Sequence, residues 1–148
     1  MIDTSNTKVA SLNEELKRLL LAEKDGESFA ITLQSFGYKY GMPLEADWVL
    51  DARFISNPFY LSSMKNLTGN SKKVSEYVLG FPEAREFIAA ITELANKLIP
   101  HYVREGKYNL VLAIGCTGGR HRSVAIVNEI ERIFKGENKH VVVIHRDL

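Results

Sequence analysis

Leu110-Val111-Leu112-Ala113-Ile114-Gly115-Cys116-Thr117-Gly118-Gly119-Arg120-His121-Arg122-Ser123 is the stretch on which the reading of this chain turns. Leu110 to Ile114 is an unbroken apolar run, the pattern of a strand covered on both faces of a parallel sheet. The glycine-rich segment after it demands a turn. From about Arg122 to Lys135 the sequence then reads as a helix that stops at Gly136. Strand, glycine turn and helix in this order form an anion-binding unit. Glycines let backbone N–H groups turn inward, and a helix N-terminus adds free donors and about half a positive charge. Thr117 and Ser123 add hydroxyls, Arg120 and His121 add basic groups, and Arg122 adds a fork that matches phosphate. Cys116, Gly118 and Gly119 complete the expected phosphate cradle.

Reading outward, Val141-Val142-Val143-Ile144 is a second apolar run and is expected to be another buried strand. Upstream, Ser28 to Phe36 alternates, with Phe29, Ile31 and Leu33 on one face of a half-buried strand. Gly37 to Pro43 reads as loop. Trp48 to Phe54 reads as a strand that delivers Asp51 and Arg53 on one side of its end. Asn57-Pro58 marks a turn, and Ser71 caps a helix running to Leu79. A long helix opens at Pro82 and runs towards Glu105, with Phe87, Ile91, Leu94 and Leu98 inward and Pro100 placed to kink it. The expected fold is a layered α/β sheet, mostly parallel or mixed, with flanking helices. Residues 1–27 read separately, as a linker helix. Ser11 and Glu14 form a capping box, Leu12, Leu16, Leu19 and Leu20 make an apolar stripe, and Lys24-Asp25-Gly26 ends it.

Charge and composition narrow the function. A formal net charge of +1 over 148 residues gives no bulk attraction to nucleic acid or membrane, so any basic surface is local. Cys116 is the one cysteine, which excludes an internal disulfide and suits a reducing cytoplasm. No apolar run approaches the roughly 20 residues a membrane span needs. No His/Cys/Asp/Glu set has metal-ligand spacing, and His101 and His140 read as structural. No cofactor is implied.

In an open parallel sheet ligands collect at the carboxyl ends of the strands, where the glycine loop sits. Asp51, Arg53 and Asn57 stand as further ligand candidates, as do His145 and Arg146, which leave the last strand at that edge. The Walker A pattern is not met, because Gly115 and Gly119 are wrongly spaced and no lysine precedes Ser123. Cys116 to Arg122 does have the Cys-x5-Arg spacing of cysteine-dependent phosphatases, where a thiolate attacks phosphorus and the arginine holds the remaining oxygens. That enzyme reading stays open beside the binding one, although Gly115 stands where those enzymes usually have histidine.

Several separate stretches together are similar to one family. Ser35-Phe36-Gly37-Tyr38-Lys39-Tyr40-Gly41, Asp51-Ala52-Arg53-Phe54, Asn57-Pro58, Leu67-Thr68-Gly69, Ile114 to Ser123 and His145-Arg146-Asp147 resemble the C-terminal domain of the RapZ family, including its YvcJ-like nucleotide-binding members. The resemblance covers residues 28–148. Residues 1–27 resemble the tail of the P-loop NTPase domain, with its ATP- and GTP-binding motifs, that precedes this domain in full-length members. It implies a cytoplasmic, non-catalytic sensor and adapter in the control of amino-sugar metabolism. Its expected ligand is an amino-sugar phosphate such as glucosamine-6-phosphate, or a nucleotide sugar. The expected partners are small regulatory RNA, a ribonuclease or other regulatory protein, and further copies in a homo-oligomer. Family ligand positions carry over to Asp51, Cys116, Thr117, Gly118 and Arg122. Two features depart from some members: Phe59 stands where they place a ligand histidine, and a lysine- and arginine-rich tail does not follow His145-Arg146-Asp147-Leu148.

Overall fold

The computed structural model describes residues 29–148, so the linker helix expected over residues 1–27 lies outside the described residues. Four strands, β1 (Ala30–Gly37), β2 (Trp48–Asp51), β3 (Asn109–Cys116) and β4 (His140–His145), form one sheet in the order β2-β3-β1-β4. Each pairing is parallel. Three α-helices, α1 (Lys72–Leu79), α2 (Pro82–Arg104) and α3 (Arg122–Gly136), connect them, with single 3-10 turns at Tyr38–Tyr40 and Pro58–Tyr60. The layered α/β class is the expected one, and the sheet is wholly parallel.

β3 is central because its apolar run can be buried on both faces. Leu110, Leu112 and Ile114 join Ile31 and Leu33 of β1 in the main core, against Ile88 and Ile91 of α2 and Ile126, Ile130 and Phe134 of α3. The connections β2–α1–α2–β3 and β3–α3–β4 travel across the sheet in one direction, whereas β1–β2 travels back. With right-handed crossovers, the helices then share one face and residues 38–47 cross the other. Pro43, midway along that crossing segment, is buried, and so are Phe36 and Ala113 outside the helix-side core.

Four local expectations are corrected. β2 ends at Asp51 instead of running to Phe54, because the Asp51 carboxylate accepts the Arg53 N–H at 2.8 Å and turns the chain. β4 is not buried on both faces: Val142 and Ile144 are half-exposed, because β4 pairs only with β1 and forms an edge of the sheet. Ser71 occupies the N-cap of α1 without a side-chain capping bond. In α2 the buried stripe is Ala84, Ile88, Ile91, Ala95 and Ile99, one residue on from Phe87, Leu94 and Leu98. The alanines let α2 approach closely, so the larger leucines are displaced to the margin. Pro100 lies inside α2, which continues to Arg104.

Leu112→Ala is expected to cost about 2–5 kcal/mol, because β3 is fixed on both sides and cannot close the cavity. Leu94→Ala on the open margin of α2 should stay within about 1 kcal/mol. Urea unfolding of both variants distinguishes the core stripe found in the fold from the one the leucine spacing suggests.

Candidate functional site

β3 ends at Cys116 and α3 begins at Arg122, so Thr117 to His121 cross the carboxyl edge of the sheet as one short loop. Its shape depends on bare backbone. Gly119 sits at φ 76°, which favours glycine. A Cβ on Gly37 would lie 2.5 Å from the carbonyl carbon of Gly118 and 2.8 Å from the nitrogen of Gly119. The end of β1 therefore presses directly on the loop.

That contact is held by groups behind it. The Lys39 N–H donates to the Thr117 carbonyl at 3.2 Å. The Gly37 N–H donates to Asp147 Oδ2 at 2.8 Å, and Arg146 pairs with the same carboxylate at 2.8 Å. Burial pushes the Asp147 carboxyl up, but Arg146 and the Gly37 N–H outweigh it and hold it below its usual value. On the other side, the Gly69 N–H donates to the Arg120 carbonyl at 2.8 Å, and His121 Nε2–H donates to the Met64 carbonyl at 3.2 Å.

Arg122 joins this scaffold to the opening. It is 4% exposed, and its Nη1 donates to the carbonyls of Arg53 at 3.0 Å and Ile55 at 2.7 Å. Nη2 reaches Thr117 Oγ1 at 3.3 Å, while the buried Nε–H has no acceptor among the described residues. Burial lowers the pKa of Arg122, and the nearby Cys116 and Asp51 oppose that shift. Cys116 is 2% exposed, with Sγ 3.1 Å from Ser123 Oγ and accepting the Ser123 N–H at 3.4 Å.

These groups surround a pocket of about 220 Å³. Thr117, Gly118, Arg120 and Arg122 form its loop side. Lys39 and Tyr40 stand on one flank, with Asn57, Phe59 and Tyr60 on the other. Asn57 Oδ1 accepts the Phe59 N–H at 3.0 Å and so fixes the second flank. Larger hollows of about 390 and 470 Å³ lie beside Ile99 and Leu94; their walls are mainly apolar, so the smaller pocket is the one with convergent polar groups. Among the described residues no group of His, Cys, Asp and Glu can hold a metal ion, and no helix is long and apolar enough to cross a membrane.

Not every candidate from the sequence reaches the pocket. Asp51 and Arg53 lie outside its lining and pair with each other at 2.8 Å, with the guanidinium 4.0 Å above the Tyr38 ring. The Arg53 hydrogen bonds hold the Asp51 carboxyl below its usual value. His145 turns inward, taking the Ser35 hydroxyl on Nδ1 at 2.8 Å and meeting Asn128 Oδ1 through Nε2 at 3.1 Å. Arg146 donates to the Gly41 carbonyl at 2.6 Å and packs near the Phe36 ring. Phe59, at the position where some family members place a ligand histidine, does line the pocket; Lys39, Tyr40 and Tyr60 join it without having been ligand candidates. Lys39 and Tyr40 follow the carboxyl end of β1, so the strand-end rule that singled out the glycine loop applies equally to them.

Residues 29–148 match the model of the RapZ C-terminal domain. The chain belongs to the RapZ C-terminal domain family. It is 53% identical over 148 residues to a nucleotide-binding protein of Caldanaerobacter subterraneus subsp. tengcongensis, covering 100% of this chain and 52% of that protein. A nucleotide-binding protein of Thermoanaerobacter sp. is 49% identical, with the same coverage. One of Caldicellulosiruptor saccharolyticus is 46% identical, covering 100% of this chain and 50% of that protein. The chain thus spans about half the length of the curated relatives it matches. In this RapZ-type domain the loop, the Arg122 anchor and the two flanks all fall within the matched residues.

Gly37→Ala is expected to destabilise the domain by about 1–3 kcal/mol, since its methyl meets backbone and not a flexible side chain. Thermal unfolding measures the loss, and the Gly119 amide resonance should shift with it. A second expectation concerns pH. Burial depresses the pKa of both His121 and His145, so folding favours their neutral forms. Their contribution is fully present above the unfolded pKa of about 6.5 and is lost as pH falls through the lower folded values. The unfolding midpoint should therefore drop as the pH falls below about 6.5. His145→Gln should flatten that slope.

Proposed function

We propose that this RapZ-type domain is a non-catalytic binding module for a phosphorylated sugar, with the phosphate on the Thr117 to Arg122 loop. The observation that carries the reading is the convergence of Lys39, Thr117, Arg120 and the almost wholly buried Arg122 on one small pocket at the N-terminus of α3. Cationic and hydroxyl donors gathered beside a helix N-terminus suit a phosphate as their acceptor. The pocket volume of about 220 Å³ suits one phosphate with one sugar ring, and glucosamine-6-phosphate has that size. Asp51 lies outside the pocket lining and is paired with Arg53, so a role as acceptor for a ligand amine requires Arg53 to leave it.

Turnover is disfavoured by the same geometry. Cys116 reaches the pocket wall but is almost wholly covered, with its sulfur engaged by the Ser123 hydroxyl and amide. The pocket lining contains no carboxyl group to protonate a leaving group, as phosphatase chemistry needs. Arg122 is also committed to the carbonyls of Arg53 and Ile55 and is not free to follow a transferring phosphoryl group. The wider roles implied by the family, in amino-sugar control through RNA, a ribonuclease and self-association, form part of this proposal and draw support from the family alone.

Calorimetry with glucosamine-6-phosphate and inorganic phosphate tests the reading. Both should bind the folded 148-residue chain, the sugar phosphate more tightly. Thr117→Val should weaken both by about 10-fold through loss of one hydrogen bond to a charged group. Absence of heat with either anion sinks the proposal.

A further inference from the structure

The flanks of the pocket are unusual in composition. Tyr40 is 60% exposed, Phe59 46% and Tyr60 80%, and all three line the same small pocket as the glycine loop. Single exposed apolar residues are ordinary, but aromatic rings gathered at the mouth of a polar pocket mark a place where a ligand covers them.

Both flanks are also fixed in place. Tyr40 belongs to the 3-10 turn that is tied to the loop through the Lys39 N–H and the Thr117 carbonyl. Phe59 and Tyr60 belong to the turn capped by Asn57, which follows the segment that Arg122 grips at Arg53 and Ile55. Phe59 and Tyr60 pack edge to face, with centroids 5.7 Å apart and planes at 82°, so they do not stack on each other. A lysine stands over one ring on each flank: Lys39 Nζ is 5.3 Å from the Tyr40 centroid, and Lys65 Nζ is 5.1 Å from that of Phe59. The rim therefore offers flat apolar faces beside mobile positive charge.

We propose that this rim is a second subsite, for the base of a nucleotide or nucleotide sugar whose phosphate rests on the glycine loop. The inference deepens the phosphate reading and depends on it. With the phosphate on the glycine loop, a heterocycle carried on the same sugar reaches the mouth of the pocket, where Tyr40 and Tyr60 are exposed. Every base has a π-face, so stacking there selects for a planar ring more than for one particular base. Lys39 and Lys65 are positioned for a second phosphate, which a nucleoside diphosphate derivative carries and a hexosamine phosphate does not.

The decisive comparison titrates the full chain with inorganic phosphate, ribose 5-phosphate, UMP and UDP-N-acetylglucosamine. UMP should bind at least about 10-fold more tightly than ribose 5-phosphate, the gain typical of one stacked base. A double variant, Tyr40→Ala with Tyr60→Ala, should bring the ratio of UMP to ribose 5-phosphate affinity to about one, whatever it does to ribose 5-phosphate itself. Tyr60→Phe, which keeps the ring, should retain it beside Tyr40. Because these side chains are exposed, the thermal midpoint of each variant should match that of the parent chain. Equal affinity for ribose 5-phosphate and UMP overturns the base subsite alone, and so does an advantage for UMP that survives the double variant. No binding of any of the four probes overturns the phosphate reading and this inference together.

Discussion

The contact between Gly37 and Gly118-Gly119 is the constraint from which the rest of the site follows. Two backbones meet there without side chains between them, so the end of β1 and the loop after β3 occupy one fixed relation. Pairing β1 beside β3 brings them together, and the parallel register carries Gly37 opposite Cys116. The contact leaves the Gly37 N–H needing an acceptor, and Asp147 supplies it. A carboxylate there brings negative charge behind the glycine loop. Arg146 offsets that charge, and its other donor anchors the crossing segment at Gly41. The His145-Arg146-Asp147 stretch thus acts on the loop from behind, as a brace.

Arg122 shows how fold and site share one residue. A cation at a helix N-terminus is opposed by the helix dipole, and burial adds a desolvation cost. Two carbonyls from the turn after β2 recover much of it, and in doing so they fix the segment that leads to Asn57 and the second flank. One guanidinium therefore holds the floor of the pocket to one of its walls. Its remaining donor is the part of the residue that the fold does not use.

How much of this was legible in the sequence depended on what each feature rests upon. The β3–loop–α3 unit was readable because an apolar run, a glycine cluster and a helical repeat are local signals. β4 has an equally apolar run, yet its exposure depends on being at the sheet edge, which is a property of strand order. The face of α2 was misread by one position because alanine marks close packing and leucine does not. Side-chain direction was least accessible. His145 and Arg146 reach the expected edge of the sheet, but Ser35 and Asn128 capture one and Gly41 and Asp147 the other. Tyr40 and Tyr60 carry no ligand motif of their own, and their place at the pocket depends on long-range bonds: Thr117 ties the Tyr38–Tyr40 turn, and Arg122 holds the segment before the Asn57-capped one.

The Asp51–Arg53 and Arg146–Asp147 pairs differ in how much of the fold depends on them. Exposed ion pairs contribute little to stability, about 0–1 kcal/mol, even with bidentate geometry. Parting Arg53 from Asp51 therefore costs the fold almost nothing, whereas drawing Asp147 away would release the Gly37 N–H and loosen its contact with the loop. The two aspartates stand at the same edge of the sheet with opposite duties, one available and one committed. What separates them is the backbone amide each serves: Asp51 turns its own strand end, and Asp147 secures the junction on which the loop is built. The glycine loop is thus built on committed groups, while the Asp51–Arg53 pair beside it is one the fold can spare.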